Sequence, residues 1–152
     1  MIDPTAFSEA DDCPVGFFYE DIATWTLPDA EGTAAWLLKV ASHHRRPIDE
    51  LTVVFVTDAK LRELNNQFLG HDYETDILTF DYSEPGAPGL FGELYISVER
   101  VRDNAPDFGA SFDDELHRVL AHGLLHLLGF DDQTDDDTAR MRQAEDQALA
   151  LR

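Results

Sequence analysis

The stretch His122-Gly-Leu-Leu-His126-Leu-Leu-Gly129-Phe-Asp131-Asp132 most restricts what this chain can become. Each residue of an α-helix advances about 100°, so histidines four apart share one face, a turn from each other. Gly129 can take the left-handed conformation that ends a helix. The chain can then double back and bring Asp131 or Asp132 to the open side of the two imidazoles. Two histidines and a carboxylate form a divalent-metal site with three protein donors, which leaves a position open for chemistry. The donor set suits one zinc ion, with manganese, nickel or iron as alternatives. A His-x-x-x-His pair alone is common by chance; the glycine and the carboxylates after it carry the metal reading. Gly123 stands where zinc peptidases of the His-Glu-x-x-His type have their glutamate base, so that version of the site lacks its proton carrier. Asp131, Asp76 and Glu93 are candidates to take the proton.

The rest of the chain alternates strand and helix signals. Residues 1–14 read as a polar leader and 15–152 as one domain. Val15–Asp21, Glu50–Val56, Asp76–Tyr82 and Leu90–Val98 are predicted strands, the second β-branched and apolar enough to be central. Helices are predicted over Ala30–His44, from an Asp58 cap through Phe68, over Glu99–Ala105 before Pro106, and over Asp135–Leu149. Ser111-Phe-Asp-Asp114 matches a capping box that opens the motif helix, and Thr134-Asp-Asp-Asp137 matches another. On the motif helix Leu116, Val119, Leu120, Gly123 and Leu127 form the core stripe, and the histidines lie beside it. This order implies one α+β domain.

Composition narrows the classes. At 152 residues and 43% apolar, the chain can bury a core. No apolar run approaches the length that spans a bilayer, so no membrane partner is expected. One cysteine, Cys13, excludes an intrachain disulfide. The acidic N-terminus lacks the features of a signal peptide, and a cytoplasmic location is expected. The formal net charge is -20, and Lys39 and Lys60 are the only lysines. That charge keeps a protein soluble and opposes binding of a polyanion. The acidic excess with scarce lysine also fits a salty cytoplasm.

The motifs together resemble the YbeY family of bacterial endoribonucleases and rRNA maturation factors. The family motif His-Gly-x-Leu-His-Leu-x-Gly-[Tyr/Phe]-Asp-His stands here as His122 to Asp132. Leu64-Asn65-Asn66-Gln67-Phe68-Leu69 and Thr75-Asp76-Ile77-Leu78-Thr79-Phe80 match a second family segment. Gly92-Glu93-Leu94-Tyr95-Ile96-Ser97 matches a strand motif, and Met141-Arg142 with Glu145-Asp146 are family-like. The likeness covers roughly residues 50 to 150. Two positions depart from the pattern. The third ligand histidine is Asp132, which can bind through oxygen, makes the site more negative and favours a harder metal such as manganese. The arginine associated with RNA phosphate is Leu69, which removes a bidentate donor.

The resemblance implies a mixed, mostly four-stranded sheet packed with helices, with the metal site on a C-terminal helix and the loop after it. It implies a metal-dependent, single-strand-specific endoribonuclease acting in 16S rRNA 3′-end maturation and ribosome quality control. Its partners would be single-stranded rRNA, the small ribosomal subunit and ribosome-associated factors. His122, His126 and Asp132 would hold the metal, and His122 and Asp131 would serve the chemistry. Arg118, Arg45, Arg46 and His71 are the candidate substrate contacts. For Arg118 the plainer role is pairing with Glu115 or Asp114 on its own helix. Arg45 and Arg46, with Lys39, His43 and His44, also make the ordinary cationic end of a helix. Rival readings are a non-enzymatic ribosome-assembly factor with a structural metal, and a metallohydrolase of small molecules.

The charge gives a first prediction. Added salt normally weakens RNA binding through counterion release. Here long-range repulsion dominates, and it is screened as the Debye length falls from about 10 Å at 0.1 M to about 3 Å at 1 M salt. Titration of labelled single-stranded RNA is expected to show affinity that holds or rises across that range. Steady weakening would reveal a conventional basic groove.

Overall fold

The computed structural model describes residues 13–70 and 75–152. Most of the leader, and His71, lie outside the described residues. In chain order the elements are β1 (Val15–Tyr19), α1 (Ala30–His43), β2 (Ile48–Val56), α2 (Asp58–Leu69), β3 (Ile77–Asp81), β4 (Leu90–Ser97), α3 (Val98–Asn104), a 3-10 turn (Ala105–Phe108), α4 (Phe112–Leu127) and α5 (Asp135–Ala150). The sheet is mixed, in the order β1-β2-β4-β3. β1 and β4 both run parallel to β2, and β3 pairs antiparallel with β4 at the edge. Leu51 N already donates to Pro14 O at 2.7 Å, so the sheet's ladder begins at the last leader residue.

β2 is apolar almost throughout because helices cover both of its faces. Leu51, Val53 and Phe55 join Leu94 and Ile96 of β4 against Leu37 and Val40 of α1 and Leu116, Leu120 and Leu124 of α4. On the other face Val54, Val56 and Leu78 pack under Leu61 and Leu64 of α2. Leu125 of α4 meets Met141 and Ala144 of α5. Trp36 Nε1 donates to Ala148 O at 2.8 Å, which ties α1 to α5. The five stripe positions of the motif helix are all buried.

Several local expectations shift. Asp58 does not cap α2: Thr57 Oγ1 accepts from Lys60 N, and the Asp58 carboxylate accepts from Arg100 Nη2 at 2.7 Å. Ser97 ends β4 and caps α3, whose first residue is Val98. The α-helix α3 ends before Pro106, as expected, and Pro106 sits in the first turn of the 3-10 segment that follows, where its missing N–H has no partner to lose. Both predicted N-caps form, with Ser111 Oγ accepting from Asp114 N and Thr134 Oγ1 from Asp137 N, while the Asp114 and Asp137 carboxylates accept from Arg152 and Arg140.

Two glycines set how closely α4 lies on the sheet. A Cβ on Gly123 would stand 2.6 Å from Ile77 Cδ1 and 2.9 Å from Leu94 Cδ2. The position of the peptidase glutamate is therefore a packing position here. A Cβ on Gly92 would stand 2.9 Å from both Leu127 Cδ1 and the carbonyl oxygen of Phe80. That oxygen is main chain and cannot swing aside. Gly92→Ala is expected to cost about 1–3 kcal/mol of stability through overpacking. Urea unfolding measures it, and an unchanged midpoint would contradict so tight a contact.

Candidate metal centre

His122 and His126 stand one turn apart near the C-terminal end of α4. That end is built as a Schellman turn: Gly129 N donates to His126 O at 3.0 Å and Phe130 N to Leu125 O at 2.9 Å. Gly129 has φ +107°, a conformation that a Cβ would strain. The chain turns back and places the Asp132 carboxylate over the two rings. Asp131 Oδ1 accepts from Asp132 N at 2.8 Å, and Thr138 Oγ1 donates to Asp132 O at 3.3 Å, so the loop is held from both sides.

The three donor atoms form a triangle. His122 Nε2 and His126 Nε2 are 3.1 Å apart. Asp132 Oδ2 is 3.6 Å from the first and 3.4 Å from the second. Bonds of about 2.0–2.1 Å to a tetrahedral ion would separate its ligands by about 3.3 Å, so these residues fit a divalent metal with little movement. Among the described residues this is the only such group of three.

The histidine that begins the triangle is itself oriented. Glu145 of α5 places Oε2 2.7 Å from His122 Nδ1. A proton held there leaves Nε2 facing the cluster, the arrangement of a carboxylate–histidine–metal relay. Burial of His122 opposes its charged form, but the Glu145 contact and the nearby Asp132 and Asp76 outweigh it and raise the pKa. Burial likewise works against the Glu145 carboxylate, yet His122 and Arg118 bring its pKa below the ordinary value. Arg118 donates from Nη1 to Glu145 Oε1 at 2.9 Å and from Nη2 to Asp146 Oδ1 at 2.8 Å. Its partners are thus on α5, not Glu115 or Asp114.

Asp76, Glu115, Arg118, Arg142 and Glu145 share one cleft with His122 and Asp132. Burial raises the pKa of Asp76 despite the opposing effect of His122. Burial and the neighbouring Asp76 also raise that of Glu115, whose Oε2 has no hydrogen-bond partner among the described residues. Glu93 lines no part of the cleft and accepts a hydrogen bond from Tyr82 Oη at 2.7 Å. Asp131 is exposed and braces the Asp132 amide. Arg46 donates to Leu127 O at 3.1 Å and to Gly89 O at 3.4 Å, so it secures the end of α4. Arg45 is exposed with φ +61° at the end of α1. The ring of His44, 5.3 Å from that of Phe130, brings the basic cluster beside the motif loop.

Glu145 is the residue that the sequence reading left outside the site. It shares a helix face with Met141, Ala144 and Ala148, all buried. A carboxylate on an apolar stripe requires a partner, and that was the available signal.

Fold and cluster together define a mixed α+β protein with a helix-borne His/His/Asp group compatible with a metal ion. The chain matches the family model described as endoribonuclease YbeY over residues 23–151, and it belongs to that family. The match takes in α1, beyond the stretch that the motifs mark. A protein named endoribonuclease YbeY from Bacteroides thetaiotaomicron is 45% identical over 128 residues, 83% of this chain and 92% of the relative. Another of that name from Cytophaga hutchinsonii is 43% identical over 136 residues, 90% of this chain and 94% of the relative. A solution structure from Thermotoga maritima, 27% identical, superposes with a TM-score of 0.62 and covers 90% of this chain and 87% of its own. No helix among the described residues is long and apolar enough to cross a membrane.

The Glu145 contact generates a prediction. Glu145→Gln removes the carboxylate that orients His122, and metal affinity is expected to fall about 10–100-fold. Metal needs neutral imidazole, so the raised pKa makes protons compete from above the ordinary value near 6.5 in the wild type. In the variant that onset moves to lower pH. Chelator competition across pH reads both changes, and wild-type affinity at every pH would contradict the relay.

Proposed function

We propose that this protein is a metal-dependent endoribonuclease that cuts single-stranded RNA. The observation that carries the reading is the donor triangle of His122, His126 and Asp132 beside a cleft, in a member of a family named for RNA cleavage. One divalent ion, zinc first by donor set, would polarise a phosphate oxygen or lower the pKa of water. The chain's own groups do the rest. Glu145 and Arg118 fix His122 so that its Nε2 keeps one direction. Asp76, whose pKa burial raises, faces the same cleft as His122 and is the candidate to take and return a proton. Asp131 holds the backbone of Asp132, which is a more direct use for it than proton transfer. Arg45, exposed just after α1, is available to RNA, whereas Arg46 and Arg118 act through the parts they brace. The family likeness extends the proposal to 16S rRNA 3′-end maturation and ribosome quality control, with the small ribosomal subunit as partner, in the cytoplasm.

Leu69 favours a second reading. It is exposed at the end of α2 and offers no charge to phosphate, as would suit an assembly factor with a structural metal. Cleavage of a single-stranded rRNA fragment separates the two. Metal-loaded wild type is expected to cut; the chelated protein and His126→Ala are expected not to. Equal cutting by wild type and His126→Ala would identify a contaminating nuclease and remove the enzyme claim.

A further inference from the structure

Three arginines line the cleft beside the donor triangle: Arg118, Arg142 and Arg152. Two are fully engaged. Arg118 bridges Glu145 and Asp146. Arg152 pairs with Asp113 at 2.6 Å and Asp114 at 3.3 Å. Arg142 is exposed, and its guanidinium makes no ion pair or hydrogen bond among the described residues.

In so acidic a chain a free arginine needs a reason, and its helix supplies one. Partners on a helix stand three or four positions away. Toward the N-terminus those positions hold Ala139 and Thr138, which carry no charge. Toward the C-terminus they hold Glu145 and Asp146, both already bound by Arg118. Glu115 feels the charge of Arg142 but is buried and makes no ion pair with it; burial raises its pKa against that charge. Arg142 therefore stands one turn from Glu145 and lines the cleft of His122 and Asp132 without an ion-pair partner among the described residues.

We infer that Arg142 forms an anion subsite beside the metal-ligand cluster and that it binds a backbone phosphate of single-stranded RNA. This rests on the proposed ribonuclease reading. A guanidinium offers a planar fork of donors that matches two non-bridging phosphate oxygens. It is exposed, so it reaches a bound strand without breaking a contact of the fold.

The test compares metal-loaded wild type, Arg142→Ala, Arg142→Lys and Arg140→Ala. Arg140 is the control because it pairs with Asp137 at 3.0 Å and lies outside the cleft lining. Binding of a labelled single-stranded RNA and its steady-state cleavage are read together, with metal content measured for each protein. Arg142→Ala is expected to lose about tenfold in RNA affinity and in kcat/KM, mainly through KM, as befits a charge-assisted contact. Arg142→Lys should recover part of the loss, Arg140→Ala should match wild type, and metal content should stay unchanged throughout. RNA affinity of Arg142→Ala within twofold of wild type would overturn the inference. So would a loss that Lys does not relieve, or one accompanied by loss of metal. Wild type that binds RNA through Arg142 but never cleaves it would instead remove the ribonuclease reading and leave the subsite standing. An affinity loss equalled by inorganic phosphate inhibition that ignores Arg142 would assign the phosphate elsewhere and also overturn it.

Discussion

The turn at Gly129 is the constraint on which the site depends. Two histidines on α4 can present two nitrogens to an ion, but a helix cannot supply a third donor on the far side of that ion. The left-handed glycine and the Phe130–Leu125 hydrogen bond reverse the chain within a few residues and return Asp132 over the rings. The same reversal starts α5 in the direction that lays Glu145 against His122. One backbone conformation therefore fixes both the third donor and the carboxylate behind the first.

The position of α4 rests on glycines of a different kind. Gly123 and Gly92 have ordinary backbones; what matters is the missing Cβ, which lets the helix lie close on β3 and β4. Ile77 and Asp76 on and before the edge strand thereby reach the cleft that holds His122. Arg46 closes the arrangement by capping Leu127 O from the far end of α1. The basic cluster beside the motif loop is in part a structural clasp for the helix that bears His122 and His126.

Much of this was legible in the sequence for physical reasons. Helices and the central strand follow from periodicity, and caps such as Ser111 and Thr134 follow from the side chain's own reach. The grouping of His122, His126 and Asp132 followed because i, i+4 spacing and a left-handed glycine are local geometry. What escaped was non-local. Asp58 looked like a cap until Arg100, 42 residues away, claimed its carboxylate. Arg118 looked like a partner of its own helix because the approach of α5 cannot be read from spacing. Glu145 was hidden for the same reason, although its place on a buried stripe left a trace.

The large negative charge shapes how the cleft can work. Carboxylates outnumber arginines along it, and most of those arginines hold carboxylates in place rather than facing solvent. A bound cation is then the natural centre of positive charge in the cleft. X-ray absorption at the metal edge of the loaded protein measures this most directly. The account predicts two imidazoles at about 2.0–2.1 Å with one carboxylate oxygen, and loss of that oxygen in Asp132→Ala. A spectrum without imidazole scattering, or one unchanged by Asp132→Ala, would contradict it.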